Sequence, residues 1–464
     1  MEKTNAWMKY PEGEKRTQVF DFAEDYRKFL SACKTERECT SFFEAKAKEA
    51  GYQLLEDAIK EKKSLKPGDK VYVNQMGKSI AMFIIGKESL EKGMNILGAH
   101  IDSPRLDLKQ VPLYEDTEMA MFDTHYYGGI KKYQWVTLPL ALHGVVAKKD
   151  GTVVNISIGD KENDPVFGVS DLLIHLAGDQ LEKKASKVIE GENLDVLIGS
   201  IPADVEEKDK VKETVKANVL NILLKEYDIE EEDFLSAEIE VVPAGAARDY
   251  GFDRSMVMGY GHDDRVCAYP SFRAMLEVDT PEVTSVCLLV DKEEIGSVGA
   301  TGMQSRFFEN MVAELINLNG NYSELILKRC LKNSKMLSSD VNAAYDPLYA
   351  DVFSEQSTSY IGKGVVFNKF TGSRGKSGSN DANAEYLAEI RKVMDDNKVY
   401  FQMSELGKVD AGGGGTIAYI MSLYGMEVID CGVPVLSMHA PWEVTSKADV
   451  YEAFKCYKAF LRMK

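Results

Sequence analysis

The chain has 464 residues, of which 28% are charged and 44% hydrophobic, and a formal net charge of -18. That is the composition of a folded protein of two or three domains, and its acidity argues against a surface for nucleic acid or anionic membrane, since both need a basic face. Met1 to Tyr10 lack the basic start and apolar stretch of a signal peptide, no run is long enough to span a bilayer, and the seven cysteines include no CxxC pair. A cytoplasmic chain with buried thiols is therefore expected.

In chain order, the segment up to about Lys60 has helical spacing, with Phe20, Phe22, Tyr26, Phe29 and Leu30 on one side. Strand-like runs follow at Val71-Tyr72-Val73, at Ile80 to Ile85 and at Met94 to Gly98; the last leads into His100 and Asp102. From about Leu106 to Pro243 the texture changes to short β runs such as Leu140 to Ala147 and Val153 to Ile158, broken by Gly and Asp turns. Within that block Val211, Val215, Val219, Ile222 and Leu223 recur at helical spacing in a highly charged stretch, which predicts an exposed amphipathic helix. The block reads as an insertion. The expected domains are 1–105 and 244–464 as two parts of one α/β unit, with 106–243 inserted as a β-rich domain.

After Pro243 the α/β pattern resumes. Asp263-Asp264-Arg265 precedes a helix running to about Glu277, and the apolar run Val286 to Val290 predicts a buried parallel strand that ends at Asp291-Lys292-Glu293-Glu294. The glycine-rich stretch from Gly296 to Gly302 lets the backbone turn tightly at that edge. Leu325 to Leu337 leads into Asp340, Gly412 to Gly415 is a four-glycine loop, and Val433 to Met438 runs into His439.

Of six histidines, His100 and His439 stand directly after apolar runs, as Asp340 and the Glu293-Glu294 pair do, and Asp263 stands at the mouth of a helix. If these runs are parallel strands of one sheet, their acids and imidazoles converge on the edge where α/β folds place ligands. So many carboxylates share a small site only when cations offset their repulsion. Mixed imidazole and carboxylate ligands suit Zn2+, Mn2+ or Co2+ better than Mg2+ or Ca2+, and the set divides evenly between two metals when one carboxylate bridges. Adjacent glutamates can divide the labour, one binding a cation while the other moves a proton.

The strings Gly98-Ala99-His100-Ile101-Asp102-Ser103-Pro104-Arg105, Asp263-Asp264-Arg265, Glu293-Glu294-Ile295-Gly296-Ser297, Ser339-Asp340-Val341-Asn342 and Ser437-Met438-His439-Ala440 resemble, in order, those of the aspartyl aminopeptidase/aminopeptidase I family of co-catalytic zinc metallopeptidases. The resemblance covers essentially the whole chain. It implies an α/β fold, a mixed and mostly parallel sheet flanked by helices (phosphorylase/hydrolase-like), with an inserted β-rich domain serving for dimerisation and as a lid. It further implies two divalent metal ions per subunit, most often zinc, with His100 and Asp340 on one ion, Glu294 and His439 on the other, and Asp263 bridging. Glu293 matches the general base and Asp102 the carboxylate that orients His100, while His175 matches a histidine that reaches from one subunit into the active site of its partner. The implied substrates are peptides with a free amino terminus, and the implied assembly is a homo-oligomer, a tetrahedral dodecamer of dimers. The competing reading of His175 is an ordinary buried histidine, because its stretch is apolar on both sides.

Two departures from the family pattern bear on substrate. Asn342 and Asp346 stand where some members have histidines, and Val136-Thr137-Leu138 stands where some have an acidic pair. The chain is in these respects closer to the aminopeptidase I branch, and acidic or neutral amino-terminal residues are the expected substrates; Lys369, Arg374 and Lys376 lie in a glycine-rich loop able to supply a cation. Three alternatives compete: a non-catalytic assembly or cargo protein on the same fold, a carboxypeptidase or a deacetylase of the same clan. A phosphate-loop reading of Gly375-Lys376-Ser377 fails because Phe370 occupies the position of the first glycine, and neither an HExxH nor a GxSxG motif occurs.

Overall fold

A computed structural model describes residues 4–204, 212–320 and 322–464. The chain divides into two compact units, one of Met1–Ser103, Ala247–Met438 and Glu443–Lys464, the other of Pro104–Ala246 with His439–Trp442. Among the described residues no helix is long and apolar enough to cross a membrane.

The first unit is built on a mixed sheet whose strands lie in the order Gln53–Leu54, Lys70–Gln75, Ser79–Ile84, Thr284–Val290, Met94–His100, Lys335–Ser338, Glu427–Gly432, Val365–Asn368 and Phe401–Ser404. The central strands Thr284–Val290, Met94–His100, Lys335–Ser338 and Glu427–Gly432 run parallel. They are near-continuous apolar runs because helices cover both faces, the arrangement that parallel strands require. On one face Leu97, Cys287, Leu337 and Ile429 join a core with Phe29, Phe272 and Phe460. On the other Ile96, Leu288, Met336 and Val428 pack with Phe308, Leu315 and Leu327. Each large apolar side chain so buried contributes roughly 1.5–3 kcal/mol.

The amino-terminal helices form as their spacing predicts. Glu14–Ala32 turns Phe22, Tyr26, Phe29 and Leu30 inward. Glu36–Glu49 starts with a capping box in which Thr35 Oγ1 accepts the Glu38 amide and the Glu38 carboxylate accepts the Thr35 amide, both at 3.2 Å.

Because the central strands are parallel, their carboxyl ends reach one edge together and deliver His100, the Asp291 to Glu294 segment and Asp340 there. The run before His439 does not belong to this sheet, contrary to the expectation of a common set of strands. Pro434–Leu436 lies in a separate five-stranded sheet with Arg248–Tyr250, Met256–Gly259, Glu443–Ser446 and Asn342–Ala343. Periodicity cannot tell these two locations apart, since both bury a short apolar strand.

The second unit holds an antiparallel sheet in the order Val153–Ile158, Leu140–Ala147, Ala237–Pro243, Arg105–Asp116, Met119–Tyr127 and Val196–Gly199. The helix expected in the charged stretch is Thr214–Tyr227, with Val215 buried and Ile222 open to solvent; Val211 lies outside the described residues. The reading of His175 as an ordinary buried histidine is overturned. It sits in the short 3-10 turn Ile174–Leu176 and is exposed, as are Leu172, Leu173, Ile174 and Leu176 around it. Apolar neighbours in sequence mark burial only when something covers them, and among the described residues of this chain nothing does. All seven cysteines are buried and free.

Candidate metal centre

His100 is the last residue of its strand, opposite Val290. Its Nδ1 lies 3.0 Å from the Asp102 carbonyl and 3.3 Å from Asp102 Oδ1, both acceptors, so Nδ1 carries the proton there. That leaves Nε2 directed at Asp263 Oδ1, 3.1 Å away, with Glu293 Oε2 at 3.9 Å. Asp102 is completely buried and does a second job: Oδ1 accepts the Glu293 amide at 3.1 Å and Oδ2 the Glu294 amide at 3.2 Å. One carboxylate therefore sets both the imidazole and the two adjacent glutamates. Those glutamates open a 3-10 turn, Glu293–Ile295, bounded by Lys292 at φ 69° and Gly296 at φ 97°.

Asp263 lies at the start of the helix His262–Leu276, where its own and Asp264's backbone angles are not helical and the bond between them is cis. Its amide donates to Glu443 Oε2 at 3.0 Å and its carbonyl accepts Ser103 Oγ at 2.6 Å. Arg265 Nη2 donates to that same Ser103 Oγ at 3.1 Å, and its guanidinium lies 4.9 Å from the centre of the Tyr260 ring. A side chain at Gly261 would bring its Cβ within 1.7 Å of Arg265 Nη2, so the turn before the helix needs glycine. Asp340 is set just past Lys335–Ser338, where the Ser339 amide donates to the Gly98 carbonyl at 2.6 Å. Gly432 packs its bare Cα against Asp340; a Cβ there would lie 1.7 Å from the Asp340 carbonyl oxygen.

Three overlapping groups of ligand atoms result, each with its atoms within 4.8 Å of one another: His100, Glu293 and Asp340; His100, Asp263 and Glu294; Asp263, Asp264 and Asp340. His100, Asp263, Glu293, Glu294 and Asp340, all named from the sequence, thus come together. The electrostatics show what such a cluster demands. Burial, then the charges of Glu293, Asp263 and Asp264, holds the Asp340 carboxyl well above the ordinary carboxylate range. Burial likewise holds Asp264 up, opposed by the His100 charge and reinforced by that of Asp263. For His100, burial alone would lower the pKa, but hydrogen bonds to Asp102 and Asp263 and the Glu293 charge raise it well above the usual imidazole value. A cluster that binds protons this tightly is one that binds cations, and its imidazole and carboxylate donors fit Zn2+.

His439 and His175 belong to the second unit. His439 Nδ1 meets the Gly129 carbonyl at 2.8 Å, which fixes the tautomer and leaves Nε2 as the nitrogen with a lone pair. In the glycine-rich loop, Lys369 and Lys376 both pair with Asp381, and the Lys376 ammonium lies 3.9 Å from the centre of the Phe370 ring. The sequence reading missed Ser103, Arg265 and Glu443 as supports of Asp263. Ser103 and Arg265 stand inside the family-like strings but had no role there, because the Ser103 contact that joins them to Asp263 exists only in the fold, and Glu443 is 180 residues from Asp263.

The family described as aminopeptidase I zinc metalloprotease (M18) matches residues 29–461. A probable M18 family aminopeptidase 1 from Clostridium acetobutylicum is 62% identical over 461 residues, covering 99% of this chain and 98% of its own. Its counterpart from Thermotoga maritima is 45% identical over 462 residues, covering 99% of each chain. Among solved structures, aminopeptidase I from Clostridium acetobutylicum superposes with a TM-score of 0.92 at 60% identity, and the M18 aminopeptidase from Thermotoga maritima with 0.94 at 44%, each over 99% of both chains. The yeast mApe1 dodecamer, 21% identical with a TM-score of 0.76 over 95% of this chain and 96% of its own, shares the fold. With matches that run the length of the chain and a partly buried cluster of zinc-type ligands at the sheet edge, this protein belongs to the M18 family of zinc aminopeptidases, hydrolases of peptide bonds.

Proposed function

We propose that the chain removes acidic or neutral amino-terminal residues from peptides at a centre of two divalent ions, Zn2+ or, in its place, Mn2+ or Co2+. His100, Asp263, Glu294 and Asp340 would hold the ions, and His439 joins them on the family pattern. The observation that carries this reading is the Asp102 carboxylate, which grips the amides of Glu293 and Glu294 while it faces His100. That grip leaves one glutamate to bind metal and the other to move protons. When bound, the ions supply a polarised carbonyl and a water acidic enough to be deprotonated at neutral pH. Glu293 takes the proton from the attacking water and returns it to the leaving amine. Lys369 and Lys376 share the single Asp381, which together with Arg374 leaves the loop cationic and favours an acidic or neutral first residue over a basic one.

The inserted β-rich block, residues 106–243 of the second unit, is read as the dimerisation and lid domain. Its exposed Leu172, Leu173, Ile174 and Leu176 present an apolar surface suited to a second copy, and His175 within it would donate a hydrogen bond to the oxyanion formed in the partner's site. The assembly proposed is a tetrahedral dodecamer of such dimers, in the cytoplasm.

The test is Glu293→Gln, which keeps size and removes basicity. Turnover of amino-acid p-nitroanilides falls by about 10² to 10⁴ while two metals per chain remain. Unchanged turnover defeats the role of Glu293, and a single equivalent in active protein defeats the paired centre. Dialysis against a chelator abolishes activity, and added zinc, manganese or cobalt restores it.

A further inference from the structure

One row of the main sheet breaks its apolar pattern. Ser338 pairs with Asp430, and Asp430 with Asn368, so these side chains share one face of the sheet. Their neighbours Leu337, Ile429 and Phe367 turn to the opposite core, while Met336 and Val428 make this face apolar one step below. Ser338, Asp430 and Asn368 are all buried, and among the described residues Ser338 Oγ, Asp430 Oδ2 and Asn368 Oδ1 have no hydrogen-bond partner. A row of incompletely satisfied polar groups inside a sheet costs stability, and its place suggests why it is there. Gly98 pairs with Ser338; His100 lies two residues further along the first of these strands and Asp340 two residues beyond Ser338, just past the end of the second, so the row is one step beneath the metal ligands. Burial first, opposed by the Thr416 hydrogen bond and reinforced by the Glu293 charge, carries the Asp430 carboxyl up to about 7.

Asp430 Oδ1 accepts the Thr416 hydroxyl at 2.6 Å, and Thr416 directly follows the four-glycine loop. That loop is in turn pressed on the segment carrying Arg374 and Lys376. The Gly414 amide donates to the Thr371 carbonyl at 3.2 Å, and a Cβ at Gly413 would lie 2.4 Å from the Ser373 Cα. We propose that Asp430, through Thr416, is a positioning residue for substrate selection: it anchors loop 412–415, and with it the cationic loop 371–378, to the sheet one row beneath the metal ligands. The proposal rests on the aminopeptidase reading, and its action is on the substrate's first side chain, not on the water or the metals.

Thr416→Val removes the hydroxyl, and with it both the donation to Asp430 and the acceptance of the Ala418 amide at 3.2 Å, whereas Asp430→Ala removes only the acceptor of the first bond and Asp430→Asn keeps an acceptor oxygen. Steady-state rates on Glu- and Leu-p-nitroanilide, metal content and hydrogen exchange of residues 371–378 and 412–416 are measured for each. Thr416→Val and Asp430→Ala should raise KM about tenfold for at least one of the two substrates, shift the Glu-to-Leu ratio of kcat/KM, and leave kcat within about threefold and metal at the wild-type level. Both loops should exchange faster. Asp430→Asn should stay within about twofold of wild type in all of these, the rescue that a hydrogen-bond anchor predicts. The proposal is overturned if kcat and metal content fall with KM unchanged, if both substrates suffer equally, if Asp430→Asn fails like Asp430→Ala, or if loop exchange is unaltered. Wild-type protein that releases no p-nitroaniline would count against the aminopeptidase reading instead, and the exchange arm then decides by itself whether the anchor exists.

Discussion

Asp102→Asn isolates what the buried carboxylate does. Each of its oxygens accepts one backbone amide, from Glu293 at 3.1 Å and Glu294 at 3.2 Å. Asparagine offers one acceptor oxygen and turns an NH2 toward the other amide, so one charge-assisted bond is lost and a buried N–H is left facing a donor. A hydrogen bond to a charged group is worth about 1.5–3 kcal/mol, which at 1.36 kcal/mol per decade predicts a loss of roughly 10- to 100-fold. The loss should be divided between zinc affinity and kcat, because the displaced turn carries both a ligand and the base. The His100 tautomer should survive, since the Asp102 backbone carbonyl still receives Nδ1 at 3.0 Å. The assay titrates metal-stripped enzyme with Zn2+ for affinity, then measures kcat at saturating metal. An Asp102→Asn protein that equals wild type in both would refute the argument that this carboxylate holds Glu293 and Glu294 in place.

Two further outcomes are expected. Gly432→Ala should lower stability by about 1–3 kcal/mol and weaken zinc binding, because its Cβ would fall 1.7 Å from the Asp340 carbonyl oxygen; thermal unfolding and metal titration check this, and a variant unchanged in both would show that Asp340 has room to move. His175→Ala should keep oligomer and metal yet lose about 10² to 10³ in turnover, and mixing it with Glu293→Gln under subunit exchange should return part of the activity; no recovery despite proven exchange would rule out action across the subunit boundary.

The elements of this protein were largely legible because they are set by local rules. Ile96 to Ala99 and Val286 to Val290 are unbroken apolar runs that suit a strand covered on both faces, and the acids and imidazole at their ends follow from where the runs stop. The spacing of Phe22, Tyr26, Phe29 and Leu30 is helical, and that helix formed. The parallel order of the central strands is what turned these separate ends into one cluster. Other features depended on which distant segments meet. Pro434–Leu436 is as apolar as its counterparts but pairs in a different sheet, and the apolar turn around His175 is open because none of the described residues covers it. Likewise Asp102 had one visible neighbour, His100 two residues away, whereas its hold on Glu293 and Glu294 spans 191 and 192 residues. Ser338, Asp430 and Asn368 are unremarkable in sequence and become a polar row only through strand register. Sequence by itself determined the periodicity, the residue chemistry and the points at which strands end, since these depend on neighbours a few positions apart. Tertiary structure decided which carboxylate braces which backbone, which strand joins which sheet and which apolar stretch is left uncovered, because those contacts exist only once segments far apart in the chain are packed together.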